Sequence, residues 1–401
     1  MSGFLFVVPP LVGHINPAVG VAAELAGRGH RVAWACADPA LLRRLAGAGA
    51  EVFRCAGPVL GADGALRPPE LRGPQALKFL WEWYLVPLAE AMAPGVRTAV
   101  EEFRPDVVVA DQQAFAGGLV AESTGVRWAT SATTTAELGG ALAGLPGITT
   151  WMDTCLAGLR ARVCGSPSVT ADPRFSPHLV LAFSTPELVG AHALTNGPVH
   201  WVGPSIARRP AGSDFPWDRL DPARATVLVT LGTANTDVGA RFLTECLTAL
   251  RARADRVQAV VADPGEILAE QVDDEDKDVL VCPSVPQLPL LERADAVVCH
   301  AGHNTVCEAL WHGVPLVVAP IRDDQPVVAA QVTDAGAGIR VRFGRVTAAK
   351  LGAAIDAVLH EPGYRVAAGR IRTSFRAAGG TGAAATHLER LATGAALKET
   401  Q

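Results

Sequence analysis

Two residues in the first third of the chain have the chemistry of a proton-transfer pair. His14 follows Gly13 in the segment PPLVGHINP, after the apolar run FLFVV, and Asp111 directly follows the run DVVVA. An imidazole with an ordinary pKa near 6.5 can take a proton from a hydroxyl at neutral pH. A carboxylate on its other ring nitrogen would fix the tautomer and stabilise the imidazolium as it forms, as in the His–Asp half of a hydrolase triad without its serine. Each also has an ordinary reading: a loop histidine beside a proline turn, and an aspartate capping the following helix.

A second constellation spans Pro283 to Gln325. ADAVVCH has strand length, AGHNT reads as a tight turn, TVCEALWHG as a helix with a glycine stop, VPLVVAP as a buried strand, and IRDDQP as a polar loop feeding another helix. The chain turns at Ala301-Gly302, where a small residue and a glycine let backbone approach a ligand closely. The N–H groups of Asn304 and Thr305 then face outward on the positive end of the helix dipole, which predicts an anion site. His300, at the strand's last position, is aimed at the same space. Glu308 lies one turn into the helix, where a carboxylate can accept from two neighbouring hydroxyls. Thr233, after TLG at the end of another strand, is a weaker phosphate candidate.

Both constellations need rigid strands to hold them. Within residues 1–205 the runs FLFVV, RVAWAC, AEVFR, DVVVA and VRWAT alternate with helical patterns such as PAVGVAAELAGRG and PALLRRLAGAG. That alternation predicts an α/β fold with a parallel sheet covered on both faces, and in such sheets ligands sit outside the carboxyl ends of the strands. Residues 206–222 break the periodicity with Pro, Gly and Asp and read as a linker. From Thr226 the alternation restarts with TVLVTLGT, GARFLTECLTALRAR and VQAVVA, and runs on to GIRVR and TAAKLGAAIDAVLH. Two apolar stretches, 74–100 and 136–164, read as helical insertions.

The bulk numbers exclude several classes. A chain of 401 residues suits two domains of about 200 each. A net charge of −5 with both signs spread along the chain gives no basic stripe for nucleic acid or an anionic membrane. No apolar run reaches the roughly 18 residues of a membrane span. MSGFLFVVPP reads as a first strand, not a leader. The eight cysteines are scattered without a CxxC pair, so reduced core thiols in a cytoplasmic protein are expected, with no metal site. There is no GxGxxG after a strand, no P-loop, no HExxH and no GxSxG.

Val285-Pro286-Gln287, His300-Ala301-Gly302, Asn304-Thr305, Glu308 and Asp324-Gln325 together resemble the donor signature of the nucleotide-sugar-dependent glycosyltransferases of the two-domain GT-B type, the group that includes plant secondary-metabolite and bacterial antibiotic enzymes. The spacing from His300 to Gln325 follows that family without a gap. The resemblance implies two Rossmann-like domains facing each other across a cleft: an acceptor-binding half over 1–205, a nucleotide-sugar-binding half over 223–375, and a C-terminal segment over 376–401 returning to the first half. It implies an inverting transfer of a hexose to a small apolar aglycone, with no metal, His14 as base and Asp111 as its partner. Donor contacts would fall to Thr233, Val285, Gln287, His300, Gly302, His303, Asn304, Thr305, Glu308, Asp324 and Gln325. Asp324 and Gln325 would bond sugar hydroxyls, which favours a hexose that keeps its 3- and 4-hydroxyls, such as glucose, over a heavily deoxygenated sugar. Acceptor contacts would come from Phe79, Trp83, Ser131 and Trp151, for which ordinary core packing is the plain alternative.

The chain also departs from the plant-type pattern. Ser284 stands where a tryptophan stacks on the base, which leaves UDP and dTDP both open. His303 stands where relatives carry Trp or Met. Two other functions on the same architecture are an epimerase or hydrolase of nucleotide sugars and a catalytically silent helper. A monomer or homodimer is expected.

Overall fold

The structure, a computed structural model, describes residues 1–58, 68, 71, 73–140, 146–165, 172–191, 193–194, 198–207, 215–232, 238–272 and 276–394. It contains two fully parallel sheets. The first takes β1 (Gly3–Val7), β2 (Arg31–Cys36), β3 (Val52–Arg54), β4 (Val107–Asp111), β5 (Trp128–Ala132), β6 (Val180–Ala182) and β7 (Val199–Trp201) in the order β3-β2-β1-β4-β5-β6-β7. The second takes β8 (Ala225–Thr230), β9 (Val257–Ala262), β10 (Val279–Cys282), β11 (Ala296–Cys299), β12 (Leu316–Val318) and β13 (Gly338–Arg340) in the order β10-β9-β8-β11-β12-β13.

The alternation of side chains explains why both sheets are covered on both faces. Phe4 and Phe6 of β1 enter one core with Ile15, Val21 and Leu25, whereas Leu5 and Val7 enter another with Met92 and Phe115. The second sheet divides likewise, Leu228 facing one cluster and Val227 and Val229 the other. Strands buried on both sides must be apolar throughout, which is why these runs carry almost no polar residue.

Strand order fixes where ligands can sit. In the first sheet β1 lies between β2 and β4, and in the second β8 lies between β9 and β11. At each of these reversals, neighbouring loops run in opposite directions and leave a crevice at the carboxyl ends. Asp111 ends β4 and the segment of His14 follows β1, while Gly232 and His300 follow β8 and β11.

Several elements differ from the sequence reading. His14 does not lie in a loop: the helix Val12–Gly27 starts before it and carries Pro17 inside. A proline at that depth normally ends a helix, because it has no N–H for the carbonyl four residues back; here that carbonyl belongs to Gly13 and is bonded from elsewhere (below). The helix after β11 starts at His303, two residues earlier than read, with Gly302 at the N-cap. The 74–100 stretch is helical over Gly73–Phe103 but loosens to a π-helix at Leu80–Leu85. Of 136–164, only Pro146–Cys164 is an α-helix; residues 141–145 lie outside the described residues. The short strands β6, β7 and β10 were not singled out, since three or four residues carry too little periodicity.

The helix Gly380–Thr393 crosses back onto the first half, burying Ala384, Ala385 and Leu388 in the core of Phe4, Ile15 and Val21. Arg28 and His30 tie it down through Glu389 at 2.8 and 2.9 Å. All eight cysteines are free thiols. Among the described residues, no helix is long and apolar enough to cross a membrane.

Candidate active site

Position in the sheet brings His14 and Asp111 together across 97 positions of sequence. Nδ1 of His14 lies 2.9 and 3.0 Å from the two carboxylate oxygens of Asp111. Asp111 is fully buried, and its Oδ1 also accepts from the backbone N–H of Gln113 at 2.8 Å. A third residue completes the group. Thr133, just beyond β5, donates its hydroxyl to Asp111 Oδ2 at 2.9 Å, and its oxygen lies 2.7 Å from His14 Nδ1.

This geometry decides the tautomer. The hydroxyl proton of Thr133 is spent on Asp111, so its oxygen can only accept, as can an ionised carboxylate. Nδ1 therefore carries the proton, and Nε2 is left as a free base. Burial lowers the imidazole's basicity, but the charge and hydrogen bond of Asp111 and the charge of Asp324 outweigh it, so the pKa ends above the ordinary 6.5. The imidazole side chain keeps 15 % exposure.

Sequence reasoning missed Thr133. The signal was the run TTT at 133–135, but its use depends on β5 lying beside β4, in register with Asp111 opposite Ser131. Ser131 itself is buried, and its Oγ has no partner among the described residues.

On the facing half, two of the four non-glycine residues with left-handed backbone among the described residues adjoin the candidate donor residues. Ala301 is held at φ 64 and Asp323 at φ 57, in the left-handed region. Such residues cost about 1–2 kcal/mol each and persist where surrounding structure holds them. Gly302 then caps the helix His303–Trp311 without a side-chain bond, so the first N–H groups of that helix, including those of Asn304 and Thr305, have no intrahelical partner.

His300 is buried against Gly232, where a β-carbon would come within 2.8 Å of the ring. Burial holds its pKa down at about 4, so it is neutral, and Nδ1 has no partner among the described residues. His303, also pushed down to about 4 by burial, turns Nε2 towards the carbonyl of Phe183 in the first half at 3.3 Å.

Gln287 opens a short helix after β10 and donates to Glu308 Oε2 at 2.6 Å, so these two candidates form one polar unit. Val285 packs half-buried beside the Leu290 core. Gln325 accepts the N–H groups of Ile321 and Arg322 with its side-chain oxygen, stiffening the loop on which Asp324 stands. Asp324 occupies an N-cap position without capping its helix; its carboxylate instead accepts from Thr134 of the first half at 2.5 Å. Burial raises its pKa, partly offset by that hydrogen bond. Thr233 lies outside the described residues.

The aromatic candidates fall into two places. Phe79 and Trp83 stack at 6.4 Å, with Trp83 70 % exposed. Trp151 instead packs 5.7 Å from Trp81, whose ring meets Phe115 just after Asp111, and donates to Glu82 at 3.0 Å. Trp81 was not among the expected residues, because a buried tryptophan inside an apolar helix reads as core.

Known proteins resemble this chain in sequence and fold. Residues 253–390 match the family model of the erythromycin biosynthesis protein CIII-like C-terminal domain. The chain is 32% identical to 4'-demethylrebeccamycin synthase of Lentzea aerocolonigenes, over 93% of this chain and 95% of that protein. It is 30% identical to demethyllactenocin mycarosyltransferase of Streptomyces fradiae, over 99% of this chain and 88% of that one. Among solved structures, the glycotransferase of kitacinnamycin superposes with a TM-score of 0.77 at 28% identity, over 97% of this chain and 98% of that one. The glycosyltransferase VinC, solved in complex with dTDP, shares the fold at 22% identity with a TM-score of 0.73, over 98% of this chain and 99% of that one. The chain therefore belongs to the GT-B nucleoside-diphosphate-sugar glycosyltransferases of natural-product biosynthesis, and is a glycosyltransferase.

Proposed function

We propose that this enzyme moves a hexose, with glucose as the first choice, from a nucleoside diphosphate to a hydroxyl of a small apolar aglycone, with inversion at the anomeric carbon. The observation that carries the reading is the contact of His14 Nδ1 with Asp111 and Thr133, which argues for the ring proton on Nδ1 and Nε2 as the base. The acceptor hydroxyl gives its proton to Nε2 as its oxygen attacks the anomeric carbon, and the positive ring is steadied by the buried carboxylate of Asp111. The sugar–phosphate bond breaks in the same displacement, and the electron pair leaves on the diphosphate. The N–H groups at the start of the helix His303–Trp311 face that leaving group, so fixed dipoles take the part that a cation plays elsewhere.

In this reading residues 1–205 receive the acceptor and 223–375 the donor. Gln287 and Glu308 take the nucleoside, and Asp324 the sugar hydroxyls. The enzyme works in the cytoplasm without a metal. Glucose is favoured because Asp324 offers a buried carboxylate to hydroxyls that a deoxygenated sugar lacks.

The test measures nucleotide release from UDP-glucose and dTDP-glucose, first alone and then with a panel of phenolic and polyketide acceptors, in buffer containing EDTA. Release that depends on an acceptor, with a glycoside of inverted configuration, is expected. Release without acceptor would mean a hydrolase, isomerised donor an epimerase, and tight nucleotide binding without turnover a silent helper.

A further inference from the structure

We infer that the side chain of Asn304 is a positioning residue: it grips the turn that carries His14 and so sets the base against the donor site. The inference deepens the reading above and rests on it. Asn304 Nδ2 donates to the backbone carbonyl of Gly13 at 2.6 Å, across 291 positions of sequence and between the two halves. That carbonyl is available for a reason written in the chain. In the helix Val12–Gly27 its ordinary partner would be the N–H of residue 17, and residue 17 is a proline with none to give. Pro17 therefore leaves an acceptor in the first turn, one residue before His14, and Asn304 takes it.

Division of labour within Asn304 follows. Its backbone N–H belongs to the open end of the helix His303–Trp311 and faces the anion site. Its carboxamide is spent on the other half of the protein. Asp111 and Thr133 orient the imidazole, but both belong to the first half and cannot set its distance from a sugar held by the second. Contacts across the cleft must do that. Thr134 to Asp324 is one such contact, and Asn304 to Gly13 is the one adjacent to His14 in sequence. A displacement of about 1 Å at a reacting centre can cost about a hundredfold in rate.

The test compares wild type with Asn304→Ala and Pro17→Ala. UDP and dTDP affinity, kcat at saturating donor and acceptor, and amide hydrogen exchange over residues 12–16 are each measured. For Asn304→Ala we expect nucleotide affinity within about threefold of wild type and kcat lower by about 10- to 100-fold, in keeping with the cost of misplacement. Exchange at 12–16 should be faster with and without nucleotide, and the acid limb of the pH profile unmoved, since the charges around His14 are unchanged. Pro17→Ala, which offers Gly13 an intrahelical partner, should lower kcat in the same direction, and the double variant should lose less than the two effects multiplied. Loss of nucleotide affinity with kcat intact would instead make the carboxamide a phosphate ligand and overturn the inference, as would unchanged exchange and rate. If the wild-type protein transferred no sugar at all, the functional reading would fail on its own, and the exchange measurement would still decide the contact.

Discussion

Asp111 turns both carboxylate oxygens on Nδ1 of His14, at 2.9 and 3.0 Å, from a site with no solvent access. Asp111→Asn keeps the shape and removes the charge, and its amide can donate to Nδ1, so the proton moves to Nε2 and the base is lost. Transfer should fall by roughly a thousandfold, while UDP affinity by calorimetry stays put. His14→Ala should do the same. A large loss of nucleotide binding in either variant would place the pair outside the proton-transfer step.

Thr133 supplies the third contact. Thr133→Val removes the hydroxyl and its bond to Asp111, at a cost of about 1–1.5 kcal/mol, which is close to tenfold in kcat. Thr133→Ser should restore most of the activity. If the valine variant ran at the wild-type rate, the tautomer would be set by Asp111 alone.

The pH profile follows from the sign of the shift. His14 acts as a base only when neutral, and its pKa is raised above 6.5 by Asp111 and Asp324 against the effect of burial. The acid limb of kcat/KM should therefore lie above that value, with activity lost as pH falls through it. Asp324→Asn removes one raising charge and should move the limb to lower pH; an unmoved limb would put the carboxylate beyond His14's electrostatic reach. The same variant should weaken discrimination between glucose and deoxygenated donors.

Gly232 sits at φ +70 with His300 against it. Gly232→Ala would pay about 1–2 kcal/mol for the left-handed backbone alone, and its β-carbon would also push the ring. A lower melting temperature and weaker UDP binding should appear together. Unchanged binding would show that the His300 ring position does not shape the anion site.

Much of the fold was written in the strands. Runs such as DVVVA and TVLVT are apolar along their whole length because helices cover both faces, and that pattern marked the strand ends where Asp111 and His300 sit and beyond which the helix of His14 begins. Thr133 was illegible because its role depends on β5 being the neighbour of β4. Pro17 misled for a physical reason: a proline suits the first position of a helix, whereas here the helix starts five residues earlier and the Gly13 carbonyl is bonded by Asn304, 291 positions away. Trp81 was hidden among apolar helix residues, whereas Trp83, expected as an acceptor contact, is exposed.

The return of the helix Gly380–Thr393 to the first half has a consequence for biogenesis. Arg28 and Glu389 are 361 positions apart, so the front core that receives Leu388 stays open on one side while the rest of the polypeptide leaves the ribosome. At roughly 5–20 residues per second that interval is on the order of tens of seconds. A nascent front half in that state leaves the apolar cluster of Ile15, Val21 and Leu25 without the cover that Ala384, Ala385 and Leu388 give it in the finished enzyme.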